Sequence, residues 1–150
     1  MTKMKIEAGE WVAVCDGTKA LILQNVGDEK FPNLRTKEVF TQKDPPTHKQ
    51  GTASPGRVQQ SVGTGSVRAS VDQTDWHAQA ERAFLVELAA RLDRAVGSGQ
   101  IKSLIIVAPP RALGVIRQAY SHGLRAALRA EIDKDLVKMP LHEIEKHLVG

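Results

Sequence analysis

The sequence predicts an α/β domain: three antiparallel strands, then a βαβα unit, forming one mixed five-stranded sheet. Three observations carry that expectation. Two short, continuous apolar runs, Trp11–Cys15 (WVAVC) and Leu104–Ala108 (LIIVA), read as strands, the second with the fully apolar character of a buried parallel strand. Trp76, Ala80, Phe84, Leu88, Leu92 and Val96 repeat every fourth residue, one apolar stripe along a long helix. Turn-forming residues separate these segments, and 150 residues suit a single domain, 1–150, with one substantial core.

The first strand, Trp11–Cys15, is followed by Asp16-Gly17 and a second apolar run, Ala20–Val26. Asp-Gly between two such runs signals a hairpin, because both residues tolerate positive φ. A third strand is expected at Glu38–Thr41, after a turn at Phe31-Pro32-Asn33. A long flexible loop, 43–74, comes next. Thr74 or Asp75 then caps the striped helix, which runs to about Val96 and stops at Gly97-Ser98-Gly99. Leu104–Ala108 is a parallel strand, closed by Pro109-Pro110, and the second proline suits the start of the following helix. That helix, Arg111 to about Tyr120, buries Leu113, Ile116 and Tyr120. Leu124–Leu136 reads two ways: its first part is helical in composition, while Leu128–Ile132 alternates as a strand does. The reading adopted is a helical turn at Ser121–Ala126 and a strand at Leu128–Ile132. Pro140 opens a last helix that buries Ile144 and Leu148. With right-handed crossovers, this order fits a ribonuclease H-like three-layer arrangement whose first strand lies near the middle of the sheet.

The loop is too long for an idle connection in so compact a chain. It is rich in Gly, Pro, Ser, Thr and Gln and carries Lys43, Lys49, Arg57 and Arg68. Gly63-Thr64-Gly65, between Arg57 and Arg68, is either a phosphate cradle built from backbone N–H groups or a solvated tip. A second candidate edge is Lys134-Asp135, with Lys138 nearby, after the last strand. Open α/β sheets place ligands at the carboxyl ends of their strands, although a simple polar turn fits the same residues.

Composition narrows the chemistry. The formal charge is +4, with six cations against three acids from Arg111 to Met139, which permits contact with RNA without requiring it. Cys15 is the only cysteine, so neither an intrachain disulfide nor a cysteine zinc site can form. No run reaches the roughly 20 apolar residues of a membrane span, and the first residues lack a signal-peptide core. A cytoplasmic protein without membrane insertion is expected.

No catalytic set converges. Asp16 ends the first strand, where a ribonuclease H-type nuclease would place a metal carboxylate, but Ala108-Pro109-Pro110 stands where its partner should be. The turn-forming role of Asp16 is the stronger reading. His142 and His147 are five residues apart, which on a helix sets their imidazoles about 140° from each other and away from a shared metal. The expectation is a non-enzymatic protein with no catalytic residues, metal or cofactor.

The segments WVAVCDGTKALIL, SPGRVQQSVGTGSVRAS, LIIVAPPRALGVIR and EIDKDLVKMPLHEIEKHL resemble the bacterial host attachment protein family from Trp11 to Leu148. Ala108-Pro109-Pro110-Arg111 with Leu113-Gly114, and Asp133-Lys134-Asp135-Leu136 with Lys138 and Pro140, are the most specific pieces. That family is in turn similar to the middle domain of archaeal and eukaryotic peptide-chain release factors, a ribonuclease H-like fold. There a Gly-Gly-Gln tripeptide sits between the third strand and a long helix; here Gly63-Thr64-Gly65 stands in that place, without the glutamine.

The resemblance implies an interaction protein required, directly or indirectly, for attachment to host cells. Its contacts would come from Arg57, Gly63, Thr64, Gly65, Arg68, Arg111, Lys134 and Asp135. The alternative it implies is an RNA-associated protein with a ribosome or tRNA partner and no hydrolytic motif.

Overall fold

The computed structural model describes residues 5–42 and 64–149, with 64–74 described by backbone alone. Five strands form one open mixed sheet: β1 (Trp11–Cys15), β2 (Lys19–Asn25), β3 (Leu34–Thr41), β4 (Leu104–Ala108) and β5 (Leu128–Asp133). Their order is β3-β2-β1-β4-β5. β1 runs antiparallel to β2 and parallel to β4, which puts the first strand at the centre, as the order of elements predicts. The described helices are α1 (Thr64–Gly97), α2 (Pro110–Arg117), α3 (His122–Ala127) and α4 (Leu141–Val149).

The two apolar runs are continuous because each strand feeds two cores. Trp11, Ala13 and Cys15 of β1, with Leu104, Ile106 and Ala108 of β4, face Leu85, Leu88, Ala89 and Leu92 of α1. Ala112, Leu113 and Ile116 of α2 and Leu124 of α3 complete that layer. Val12, Val14, Ile105 and Val107 point the other way, onto Leu136, Val137 and the Ile144 and Leu148 pair of α4. Strand alternation thus divides one hydrophobic run between two faces.

The structure revises three expectations. The helix expected from Thr74 or Asp75 begins at Thr64, so the last part of the expected loop is helical and the remainder, 43–63, lies outside the described residues. Residues 64–74 lack the apolar stripe that marks the rest, but they contain no proline, and extending an existing helix avoids the cost of a new nucleus. β3 begins at Leu34, four residues before the expected Glu38; Leu34 is buried while 35–39 are exposed, so no alternation marks this edge strand. The Asp16-Gly17 hairpin forms, but not through positive φ, which among the described glycines belongs to Gly9 and Gly99. The Asp16 carboxylate instead accepts from the Thr18 and Lys19 N–H groups, at 2.8 and 2.9 Å, and from the Thr18 hydroxyl at 3.0 Å.

Elsewhere the boundaries agree closely. Gly99, at φ 87°, turns the chain after α1 and donates its N–H to the Val96 carbonyl. Ser121 caps α3 by accepting from the Leu124 N–H at 3.0 Å, and Tyr120 is buried just beyond the end of α2.

Candidate functional site

The carboxyl ends of β1, β4 and β5 open on a cleft of about 280 Å³. Each wall follows from a local cause. The β1–β2 turn, held by its own Asp16, supplies Asp16, Gly17 and Thr18. Pro109 and Pro110 end β4 and start α2, which sets Arg111 at the rim on the first helical turn. The turn after β5 contributes Asp135 and Lys138, and α1 lays Glu81 across the opening.

Glu81 can lie there because Gly17 has no side chain. A Cβ on Gly17 would come within 2.7 Å of the Glu81 Cγ. From that position the Glu81 carboxylate meets the Arg111 guanidinium at 3.6 Å, an exposed contact that orients more than it stabilises. Asp16, Glu81 and Asp135 therefore line one opening together with Arg111 and Lys138. Among the described residues no three His, Cys, Asp or Glu side chains lie close enough to hold a metal ion. Beneath the cleft the Cys15 thiol is buried, and burial with the nearby Asp16 charge pushes its pKa up to about 12. At neutral pH it is a protonated core side chain rather than a nucleophile.

Of the residues read from the sequence, the structure brings Arg111 and Asp135 together in this cleft. Lys134 is exposed beside it and ties its backbone N–H to the Ala108 and Ile132 carbonyls, while Lys138 takes the place on the cleft wall. Thr64, Gly65 and Arg68 fall in the first turns of α1. Arg57 and Gly63 lie outside the described residues. His142 and His147 both lie on α4, with His142 3.5 Å from Glu143.

Two charged clusters were missed by the sequence reading. Glu10, buried, receives the Arg129 guanidinium at 2.5 and 2.7 Å and the Ser103 hydroxyl at 2.6 Å. Burial opposes the Glu10 charge, but the bonds from Arg129, Ser103 and the Glu7 N–H outweigh it and hold the carboxyl below its ordinary range. Elsewhere on β5, Glu131 accepts from Arg117 at 2.9 Å and from the Tyr120 hydroxyl at 2.6 Å. The same balance, burial overcome by these bonds, lowers the Glu131 pKa; burial and the Glu131 bond raise that of Tyr120. No signal of them stands in the sequence, because Arg129 and Glu131 read there as the polar residues of an alternating strand.

Fold and cleft together define an open-sheet α/β protein with a mixed-charge cleft at the carboxyl ends of its parallel strands. The chain belongs to the family described as "Protein required for attachment to host cells", which it matches over residues 11–148. No curated protein matches it.

Proposed function

We propose that this protein serves attachment to host cells as a binding protein, engaging a polar protein partner through the cleft at the strand ends. Family membership over residues 11–148 is the observation that carries this reading. The cleft supports a protein partner, because a lining that holds both carboxylates and cations matches a polar interface better than the uniformly positive surface a nucleic acid needs. Arg111 and Asp135 are the central contacts, with Lys134 beside them. Arg57, Gly63, Thr64, Gly65 and Arg68 are proposed contacts on sequence grounds, as parts of a basic, glycine-rich partner-binding element. Cytoplasmic residence belongs to the same proposal and makes the contribution to attachment an indirect one, through a partner inside the cell.

Reversing one charge tests the reading. Arg111 is 75% exposed and its ion pair is weak, so Arg111→Glu should fold normally. Cells carrying this variant in place of the wild type should attach as poorly as cells lacking the protein. Full attachment by a folded, equally abundant variant refutes the role of the cleft.

Strand order favours a second reading. An antiparallel β3-β2-β1 meander extended by parallel β4 and β5 is the order of a ribonuclease H-like fold, and it supports the likeness to the release-factor middle domain. Gly63-Thr64-Gly65 then occupies the place of Gly-Gly-Gln without the glutamine. On this reading the protein associates with RNA or the ribosome and does not hydrolyse peptidyl-tRNA. Cosedimentation with ribosomes at low salt, falling steeply as salt rises, is its expected signature. Absence of cosedimentation at low salt removes it.

A further inference from the structure

Between α2, α3 and the outer edge of β5 lies a pocket of about 370 Å³, which shares no lining residue with the cleft. Three guanidiniums border it: Arg117 from α2, Arg125 from α3 and Arg129 from β5. The place of Arg129 among them has a structural cause. The ladder pairs Leu104 with Leu128 and Ile105 with Ala130, so Arg129 is an extra residue on β5 and is turned out of register.

Each guanidinium is fixed from one side. Arg117 uses its Nε and one Nη2 bond on Glu131. Arg129 commits its Nε and Nη2 to Glu10 and the Lys5 carbonyl. Arg125 lies 5.4 Å above the Tyr120 ring and donates from Nη2 to the Arg117 carbonyl at 3.2 Å. Among the described residues, no hydrogen bond engages the Nη1 group of any of the three. Both Glu131 oxygens are occupied, one by Arg117 and one by Tyr120, so this carboxylate clamps the site.

We infer that this pocket is a binding site for a small phosphorylated molecule, its phosphate held by the Nη1 ends of Arg117, Arg125 and Arg129. A planar guanidinium fork matches phosphate oxygens, and one that is already anchored loses little rotamer freedom on binding. Three guanidiniums stand against two carboxylates, Glu131 on Arg117 and Glu10 on Arg129, which leaves the charge of Arg125 for a ligand. The volume falls in the range of small-molecule sites, about 300–1,000 Å³, and leaves room for an organic group against Leu128. A polynucleotide fits less well, because Asp133 and Asp135 follow on the same strand end and interrupt any continuous basic track.

The test is calorimetric titration of the full chain with pyrophosphate, adenosine monophosphate, succinate and a single-stranded RNA oligomer, with amide chemical shifts recorded in parallel. Pyrophosphate and adenosine monophosphate should bind and shift the amides of Tyr120, Leu128 and Ala130. Among the described residues Arg125 holds no carboxylate, so Arg125→Gln should stay folded and bind both roughly tenfold more weakly. Arg125→Lys, which keeps the charge and loses the fork, should be intermediate. Arg111→Glu should leave binding intact, which separates this site from the attachment cleft. The inference is overturned by absence of phosphate binding at millimolar concentration, by equal binding of succinate, by binding of RNA alone, or by indifference to Arg125→Gln.

Discussion

Two buried polar residues hold together parts of the chain that hydrophobic contacts alone would leave loose. Asn25 is fully buried, and its amide nitrogen donates to the carbonyls of Ile6, Glu7 and Asp28 while its oxygen accepts from the Gly27 and Asn33 N–H groups. Asn25→Asp keeps the shape but turns a donor toward three carbonyls into an acceptor. It should destabilise by about 2–4 kcal/mol, read from urea unfolding midpoints. Glu10 joins the segment before β1 to the bulge of β5 through Arg129. Glu10→Gln should cost about 2 kcal/mol, less than a fully buried pair, because the Arg129 side chain keeps 35% of its surface in water. The pH dependence has a definite sign. Glu10 and Glu131 are both held below the ordinary carboxylate range when folded. Their stabilisation is therefore complete above the unfolded value of about 4.3 and disappears as pH falls through the lower folded values. Stability should hold from neutrality to about pH 5 and then fall, and Glu10→Gln should flatten that fall. A variant with unchanged acid sensitivity would show that the Glu10 pair does not govern it.

At the scale of elements, α1 carries the most contrast. Its stripe was legible because every fourth residue is apolar, but the pattern says nothing of how far the sheet beneath extends. Leu85, Leu88 and Leu92 are buried, whereas Trp76, on the same stripe, is 41% exposed. Leu88→Ala should cost about 3–5 kcal/mol, and Trp76→Ala less than about 1 kcal/mol, despite the larger side chain removed. Thermal midpoints of the two variants check this, and equal losses would mean that Trp76 is covered in solution. The start of α1 was not legible, because Thr64-Gly65-Ser66 has turn-like composition and residues up to Thr74 carry no stripe. The start of β3 escaped for the opposite reason: an edge strand exposed from Arg35 to Val39 obeys no burial period. β5 was legible from its alternation, though its bulge was not, and that bulge aims Arg129.

For the whole molecule, the central place of β1 followed from the order of elements, three strands and then a βαβα unit. The cleft was half legible, since strand ends and turn residues can be read in order while the side chain of Glu81, reaching from the middle of α1, cannot. The need to cover both faces of the sheet makes α4 indispensable. α4 supplies Ile144 and Leu148 to the second core and holds β3 as well, because the Glu145 carboxylate accepts the Leu34 N–H at 2.9 Å. Each large buried side chain removed costs about 2–5 kcal/mol, against a total stability of about 5–15 kcal/mol for a domain. A chain ending at Met139 would also expose Val12, Val14, Ile105 and Val107 to water. It should lose its cooperative thermal transition and near-ultraviolet circular dichroism, with helical signal retained from α1. Glu145→Gln, which keeps an acceptor for Leu34, should melt within a few degrees of the wild type. If the truncated chain unfolds cooperatively near the wild-type midpoint, the second face is not held by α4 and the two-core account fails.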